Sequence, residues 1–341
     1  MNKENPFVSI IVVGHNDRVH LHDCFSSISA QAYKNFETIF VDNDSSDNSV
    51  RYVRKFFPSV KIVKNRSIGY AGGCNRGLEV ARGKYVIFQT PDTLVAGDWL
   101  QELVDCAQDG EIGVCTPKIV LFDERDRINA AGVAVNFLGF AWCGEYRKPA
   151  ASVSGKKELA SASGTSLLVK KSVLSEVGAF DKDYFLYHEE VDLSWRTRLA
   201  GYKIMLVPSS VAYHKYSFSR NPKKIFFSER NRIISLLKNY SLKTLLLIFP
   251  AFLAGETGAF AYALLHGNIT GKLQGYAYII RNRKTILAKR SSIQKARKVS
   301  DGDIARLFTG RIEFEEVSSP ALTHVLNPLL GAYWKLARHL I

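Results

Sequence analysis

Three carboxylates, Glu189, Glu190 and Asp192, fall within four residues at the end of the stretch Asp181 to Asp192, and Leu193-Ser194-Trp195-Arg196 continues it with helical spacing. Such a cluster repels itself unless a cation, a basic group or catalytic use stabilises it. Its chemistry would be general-base chemistry, the removal of a proton from an attacking group. The plainer alternative is a solvated helix start, where acids favour the positive end of the helix dipole. A second chemical position is Asp92, in Gln89-Thr90-Pro91-Asp92-Thr93. A carboxylate after a buried strand, in a turn fixed by Pro91, is placed to hold a divalent cation against a diphosphate; its ordinary duty would be a helix cap. Arg230, in Ser228-Glu229-Arg230-Asn231-Arg232, is a candidate to add positive charge there, or else a helix-surface arginine.

Two further stretches could read a nucleotide. Asp42-Asn43-Asp44-Ser45-Ser46-Asp47 follows a strand pattern, at the strand end where open α/β sheets bind ligands, and also has the composition of an Asx-rich turn. Asn65 to Gly77 carries Gly69, Gly72, Gly73 and Gly77 with Tyr70 and Asn75, a density that lets backbone amides approach phosphate or sugar oxygens at a helix start. The glycines match neither the lysine-bearing P-loop nor a Gly-x-Gly-x-x-Gly opening, which argues against ATPases and dehydrogenases.

The elements that must position these residues are legible. Phe7 to Val13 is a continuous apolar run ended by Gly14, the pattern of a strand buried on both faces. Leu21, Phe25 and Ile28 then follow at helical spacing, Phe36 to Val41 is a second strand, and the crossover is right-handed with parallel strands. Val60 to Val63 and Tyr85 to Phe88 make the third and fourth strands.

These ordered motifs, from Val8 to about Asn239, resemble a family 2 glycosyltransferase of the GT-A fold, in its rhamnosyltransferase-like branch. Val13-Gly14-His15-Asn16 is similar to the family's opening strand end, with His15 at an aromatic position. Asp42-Asn43 resembles the nucleotide-reading turn, and Asn65 with Gly69, Tyr70, Gly73 and Asn75 the donor loop. Thr90-Pro91-Asp92 stands in place of the metal-binding Asp-x-Asp motif, with only Asp92 supplying a carboxylate. Gly164-Thr165 resembles the start of the acceptor-side region, where Glu189 and Trp195 are also placed. Tyr187 to Leu193 is similar to the Glu-Asp-x-Asp-Leu helix start; the usual base is the Asp of the Glu-Asp pair, here Glu190, which leaves Glu190 and Asp192 both as candidates. His214 resembles the late histidine that contacts metal or diphosphate.

The resemblance implies an α/β fold with a Rossmann-like, mostly parallel central sheet, and an inverting, Mg- or Mn-dependent transfer of a hexose or deoxyhexose from a nucleotide-diphosphate donor to a glycan hydroxyl. It implies a catalytic domain over 1–240, with a nucleotide-sugar half (1–115) and an acceptor half (116–240), and a helical extension over 241–341. The Gln-x-x-Arg-Trp motif of processive relatives is absent, so one sugar per acceptor is expected. Thr90 and Glu190, which depart from the family pattern, motivate an alternative: a catalytically weak domain that binds glycan or scaffolds an assembly.

Charge separates the two parts. Residues 1–214 hold 25 basic and 25 acidic side chains, whereas the remainder holds 21 and 7. Residues 266–300 contain nine basic side chains (Lys272, Arg281, Arg283, Lys284, Lys289, Arg290, Lys295, Arg297, Lys298) and no acid, a run that attracts polyanions. It adjoins the apolar run Leu242 to Leu265, broken by Pro250, Gly255, Glu256 and Gly258. A membrane-dipping or in-plane hairpin is the favoured reading, with a soluble bundle core and a single span behind it, since a span needs roughly 20 apolar residues. The expected partner is an anionic membrane surface along 242–298, with a lipid-linked or cell-surface acceptor and no nucleic acid, because no base-reading module is present. Glu313 to Glu316 and Tyr333 to Arg338 read as an acidic turn and an amphipathic end piece. Five cysteines without paired spacing, and an N-terminus lacking the layout of a signal peptide, point to the cytoplasmic face.

Overall fold

The computed structural model describes residues 5–217, 223–265, 267, 269–314, 320 and 322–341; Glu315 and Glu316 of the acidic turn lie outside them. The chain opens β1 (Val8–Gly14), α1 (Arg18–Ser29), β2 (Phe36–Asn43), α2 (Ser49–Phe56), β3 (Lys61–Asn65), α3 (Gly69–Val80), β4 (Tyr85–Gln89). It continues β5 (Thr93–Val95), α4 (Trp99–Ala107), β6 (Ile112–Leu121), β7 (Ile128–Ala130), β8 (Val133–Val135), β9 (Ala141–Cys143), β10 (Lys157–Glu158), β11 (Ser166–Lys170), α5 (Lys171–Val177), α6 (Glu189–Leu199) and β12 (Lys203–His214).

The main sheet has the order β10-β12-β6-β11-β4-β1-β2-β3. Strands β4, β1, β2 and β3 run parallel, as do β12 and β6, while β11 is antiparallel to both its neighbours and β5, β7 and β10 add short antiparallel pairings. The fold is therefore a mostly parallel central sheet flanked by helices, with the departures confined to the later strands.

Strand β1 is buried along its whole length because both its faces are covered. Val8, Ile10 and Val12 join Leu21, Phe25 and Ile28 of α1 and Trp99, Leu100 and Leu103 of α4 in one core. Ile11 and Val13 join Ala71 and Cys74 of α3 in the core on the other face. Two register pairs set the functional edge. Gly14 lies opposite Asp42 and Asn43 opposite Asn65, so the carboxyl ends of β1, β2 and β3 come together. Antiparallel β11 begins where β4 ends, with Ser166 opposite Gln89, and β12 ends with His214 opposite Thr93. Residues from six parts of the chain thus meet at one rim.

Helices α7 (Lys224–Asn239), α8 (Leu242–Leu265), α9 (Ile269–Arg281), α10 (Arg283–Ala296), α11 (Asp301–Ala305) and α12 (Asn327–Ala337) follow. The expected boundary at 240/241 runs through a shared core. Trp195 of α6 packs edge-on against Tyr240 and Phe308, at ring-centre distances of 4.6 and 4.9 Å, and Ile248, Leu330 and Trp334 belong to the same cluster. Trp195 is therefore a packing residue between α6 and the extension, which corrects its placement on the acceptor side.

The apolar run is one helix, α8, continuous through Pro250. Glu256, its one acid, is bound by Arg232 of α7, by Lys272 of α9 at 3.1 Å and by the hydroxyl of Tyr276. A buried carboxylate with those partners is satisfied, so Glu256 anchors one face of α8 to the bundle. Leu242, Leu246, Phe249, Leu253, Phe260 and Leu264, all exposed, form one helical stripe, with Glu256 along its edge. Among the described residues, α8 alone has the length and apolarity to cross a membrane.

The basic run is less free than its composition suggests. Lys272 is buried on Glu229, Lys289 binds Asp181 and Asp183, Arg290 donates to the carbonyls of Leu237 and Tyr240, Arg297 binds Asp301, and Lys298 binds Glu176. Five of the nine basic side chains hold the bundle together, which narrows the expected polyanion surface to Arg281, Arg283, Lys284 and Lys295, all exposed.

Candidate active site

The site is built around Gly164. The hydroxyl of Tyr70 donates to the Gly164 carbonyl at 3.2 Å, and a Cβ at Gly164 would stand 3.4 Å from Cγ of Glu190. The carbonyl of the next residue, Thr165, accepts from the amide of Thr90 at 3.0 Å, one residue before buried Pro91 and then Asp92. One short stretch of backbone therefore links the glycine-rich helix α3, the carboxylate of Glu190 and the Asp92 turn.

Glu190 is half-buried, and burial pushes its carboxyl up to about 7. Glu189 beside it is buried, with Oε2 lacking a hydrogen-bond partner; burial first, and then its neighbour Glu190, hold it well above the ordinary carboxylate range. Burial raises the pKa values of Tyr70 and Cys74 of α3; Glu189 raises both further, and Glu190 that of Tyr70. Glu190 can thus lose its proton near neutrality while remaining a competent base.

Asp192 is a different object. It is 0% exposed, and it binds Lys238 Nζ at 2.9 Å and Arg196 Nε at 2.9 Å. It also accepts from Asn239 Nδ2 at 3.1 Å and the Tyr184 hydroxyl at 3.3 Å. Burial alone would raise its pKa, but Lys238 and then Arg196 outweigh burial and hold it well below the ordinary range. Asp192 thus has no exposed surface and two cations on it, whereas Glu190 is only half-buried.

On the other side of Gly164, Nε2 of His214 lies 3.3 Å from Oδ1 of Asp92. The His214 Nδ1 lies 2.8 Å from Oδ1 of buried Asn129. With Nδ1–H donated to Asn129, the Nε2 lone pair turns towards Asp92, the arrangement that orients a metal-ligating imidazole. This nitrogen and oxygen set fits Mn or Mg when water and phosphate oxygens complete the shell. Among the described residues no group of three or more His, Cys, Asp or Glu side chains gathers to hold a metal. Asn129 was not visible from sequence, since 85 residues separate it from His214 and no spacing marks the pair.

The nucleotide-side turns are knitted to each other. His15 Nδ1 donates to the carbonyl of Asn43 at 2.9 Å, Asn16 Oδ1 accepts from the Ser46 amide at 2.8 Å, and Asp42 Oδ1 lies 3.4 Å from the Ser45 amide. Asn43 donates to the carbonyl of Gly69 at 3.2 Å and accepts from Asn65 at 3.0 Å. Asn43 and Asn65 therefore tie β2, β3 and the start of α3 together, whereas Asp42, one residue before the end of β2, lies opposite Gly14, the residue before His15.

Three donor-side residues prove structural. A Cβ at Gly73 would come within 2.5 Å of Val13 Cγ1, so this glycine lets α3 lie on β1 and Val13 is its counterpart in the core. Asn75 clamps Phe180 by two hydrogen bonds, 2.8 Å to its carbonyl and 3.1 Å from its amide. Arg230 is buried, donating to the carbonyls of Asp183 and Tyr184 at 2.9 and 2.7 Å, with Tyr278 stacked 4.4 Å from its guanidinium carbon. Its charge serves backbone carbonyls and an aromatic face, which removes it from the diphosphate. Gly69 keeps a local role: its φ of +77° and the Phe185 carbonyl 2.2 Å from a would-be Cβ admit only glycine.

The model for glycosyl transferase family 2 matches residues 9–178. An uncharacterised protein of Sinorhizobium fredii is 27% identical over 229 residues, 63% of this chain and 25% of its own length. Poly-beta-1,6-N-acetyl-D-glucosamine synthase of Staphylococcus aureus is 26% identical over 218 residues, 60% of this chain and 49% of its own length. The chain thus spans at most about half the length of these relatives. Among solved structures, S. aureus TarS 1–349 superposes with a TM-score of 0.52 at 15% identity, covering 97% of this chain and 88% of that one. GalNAc-T7 with UDP, GalNAc and Mn2+ gives a TM-score of 0.57 at 17% identity, over 68% of this chain and 48% of that one.

Proposed function

Because the chain belongs to glycosyltransferase family 2 and has the GT-A fold, we propose that it is an inverting transferase moving a hexose or deoxyhexose from a nucleotide-diphosphate sugar to a hydroxyl of a lipid-linked or cell-surface glycan. The observation that carries this reading is Glu190. It is the one carboxylate of the acidic cluster that is both partly accessible and, with a pKa of about 7, able to change protonation at neutral pH. In the reaction it takes the proton of the acceptor hydroxyl as that oxygen attacks the anomeric carbon. The bond from that carbon to the diphosphate breaks, its electron pair leaves with the diphosphate, and the configuration inverts.

Asp92 and His214 would hold the divalent cation, which when bound offsets the charge developing on the leaving diphosphate. Asn129 keeps the His214 lone pair directed there. Asp42, at the rim beside His15, is positioned to read the base or ribose. Burial, and then Glu190, hold the Glu189 carboxyl well above the ordinary range, which disfavours a second negative charge beside the acceptor. The GalNAc-T7 structure holds UDP, GalNAc and Mn2+, which supports the donor class and the cation.

The exposed stripe of α8 supports an in-plane seat on the cytoplasmic face of a membrane, with Arg281, Arg283, Lys284 and Lys295 facing anionic headgroups. Such a seat would bring a lipid-linked acceptor to the rim. The whole reading is tested by incubating purified protein with a panel of nucleotide sugars, Mg or Mn, and extracted lipid acceptor. Release of nucleoside diphosphate that vanishes in Glu190→Gln supports it; no release with any donor sinks it.

A further inference from the structure

The backbone leading into Glu190 is held in a conformation that its own residues disfavour. Phe185, Tyr187 and His188 have φ of +64°, +65° and +69°, three non-glycine residues in the left-handed region within four positions. Bulky side chains rarely adopt it, and such a segment persists only where its surroundings over-determine it.

The over-determination comes from one turn of α7. Asn231 Nδ2 lies 3.0 Å from the Tyr184 carbonyl, 3.0 Å from the Leu186 carbonyl and 2.7 Å from the Tyr187 carbonyl. Asn231 is 0% exposed. Its own Oδ1 accepts from Arg230 Nε at 2.9 Å, and Arg230 in turn grips the carbonyls of Asp183 and Tyr184. Phe185 additionally stacks on Phe227 of the same helix at 5.2 Å.

The segment so gripped touches both halves of the site. At its end, His188 is the left-handed residue before α6 and its carbonyl accepts from the Asp192 amide, which fixes where Glu190 emerges. In its middle, the Phe185 carbonyl accepts from the Ala71 amide at 3.4 Å and abuts Gly69, at the first turn of α3. The acceptor side and the donor side therefore share one strained support.

We infer that Asn231, with Arg230 as its brace, is a positioning residue that sets the Tyr184–His188 backbone, and through it both the Glu190 carboxylate and the N-terminus of α3. This rests on Glu190 being the base. It assigns to the helix after the sheet a part in catalysis exerted wholly through main-chain carbonyls.

The test is Asn231→Asp, which keeps the shape and the oxygen that receives Arg230 but presents an acceptor to three carbonyls. Turnover should fall about 30-fold, less than the about 10²–10⁴-fold that a positioned base contributes in full. Hydrogen exchange should rise at residues 185–190 and at Ala71 while the rest of the sheet is unchanged. The acid limb of the rate profile should move down by about one unit as Glu190 gains solvent, with Glu189, Tyr70 and Cys74, the other titrating groups facing it, left in place. Wild-type turnover and exchange in Asn231→Asp would overturn the inference. If Asn231→Asp does not fold, Asn231→Ser, which cannot span to the carbonyls, is read the same way. Glu190→Gln is assayed beside it: a fully active Glu190→Gln defeats the base assignment alone, and exchange at residues 185–190 and Ala71 then decides the clamp by itself.

Discussion

Glu190 and Asp192 stand two residues apart at the start of α6, yet Glu190 leans on Gly164 and is only half-buried, while Asp192 is sealed between Lys238 and Arg196. Helical geometry turns side chains two apart to different faces, about 200° around the axis. One face looks at the sheet rim and the other at α7. Two acids that are neighbours in sequence therefore differ in kind: one is the proposed base, the other an ion-pair anchor.

Glu190→Gln is expected to lower turnover by about 10²–10⁴-fold while leaving donor affinity intact. In the wild-type protein the rate should rise with pH through about 7, as the carboxyl loses its proton. Stability should run the other way. A carboxyl whose folded pKa lies above its unfolded value adds stability below about 4.5 that is lost as pH rises through about 7. Glu190→Gln should accordingly raise the melting temperature at pH 8 and leave it unchanged at pH 4. A lower melting temperature at pH 8 would contradict the buried-carboxyl account.

Asp192→Asn should be a stability variant. Removing one partner of a buried ion pair typically costs about 3–5 kcal/mol. The sign with pH is opposite to that of Glu190: the depressed folded pKa means that Asp192 contributes above its unfolded value and loses that contribution as acid protonates it. Denaturant unfolding at pH 7 and at pH 3 should therefore show a large gap between wild type and variant at pH 7 and a smaller one at pH 3. Equal stability at pH 7 would refute the pairing.

Asn129→Leu should weaken Mn2+ binding in the presence of nucleoside diphosphate by about 10–100-fold, the usual effect of removing an orienting partner from a ligating histidine. Calorimetry reads this without turnover. His214→Gln should weaken it further, and unaltered affinity in both variants would remove the Asp92–His214 pair from the metal's protein ligands.

The double variant Leu246→Gln, Leu253→Gln changes exposed positions of α8. Its binding to vesicles containing anionic lipid, measured by flotation, should fall while activity on a water-soluble acceptor is retained. Undiminished flotation would place the membrane contact elsewhere or abolish it.

The sequence by itself determined the donor half. Strands of uninterrupted β-branched residues can only be central, crossovers between them have one hand, and loops at their carboxyl ends can only meet at one rim. That logic placed Asp42, the glycine-rich helix start and Asp92 together before any contact was known, because each sits at the end of an element whose direction is dictated locally; His214 was added only by the family resemblance. It could not separate Glu190 from Asp192, since the decision belongs to Lys238 and Arg196 for one and Gly164 for the other. Nor could it tell that Arg230 grips carbonyls, that Trp195 faces Tyr240 and Phe308, or that most of the basic run is paired internally. Charge and aromaticity announce that a residue needs a partner. Which partner it finds depends on segments tens to more than a hundred residues away, and only the packed chain brings them within reach.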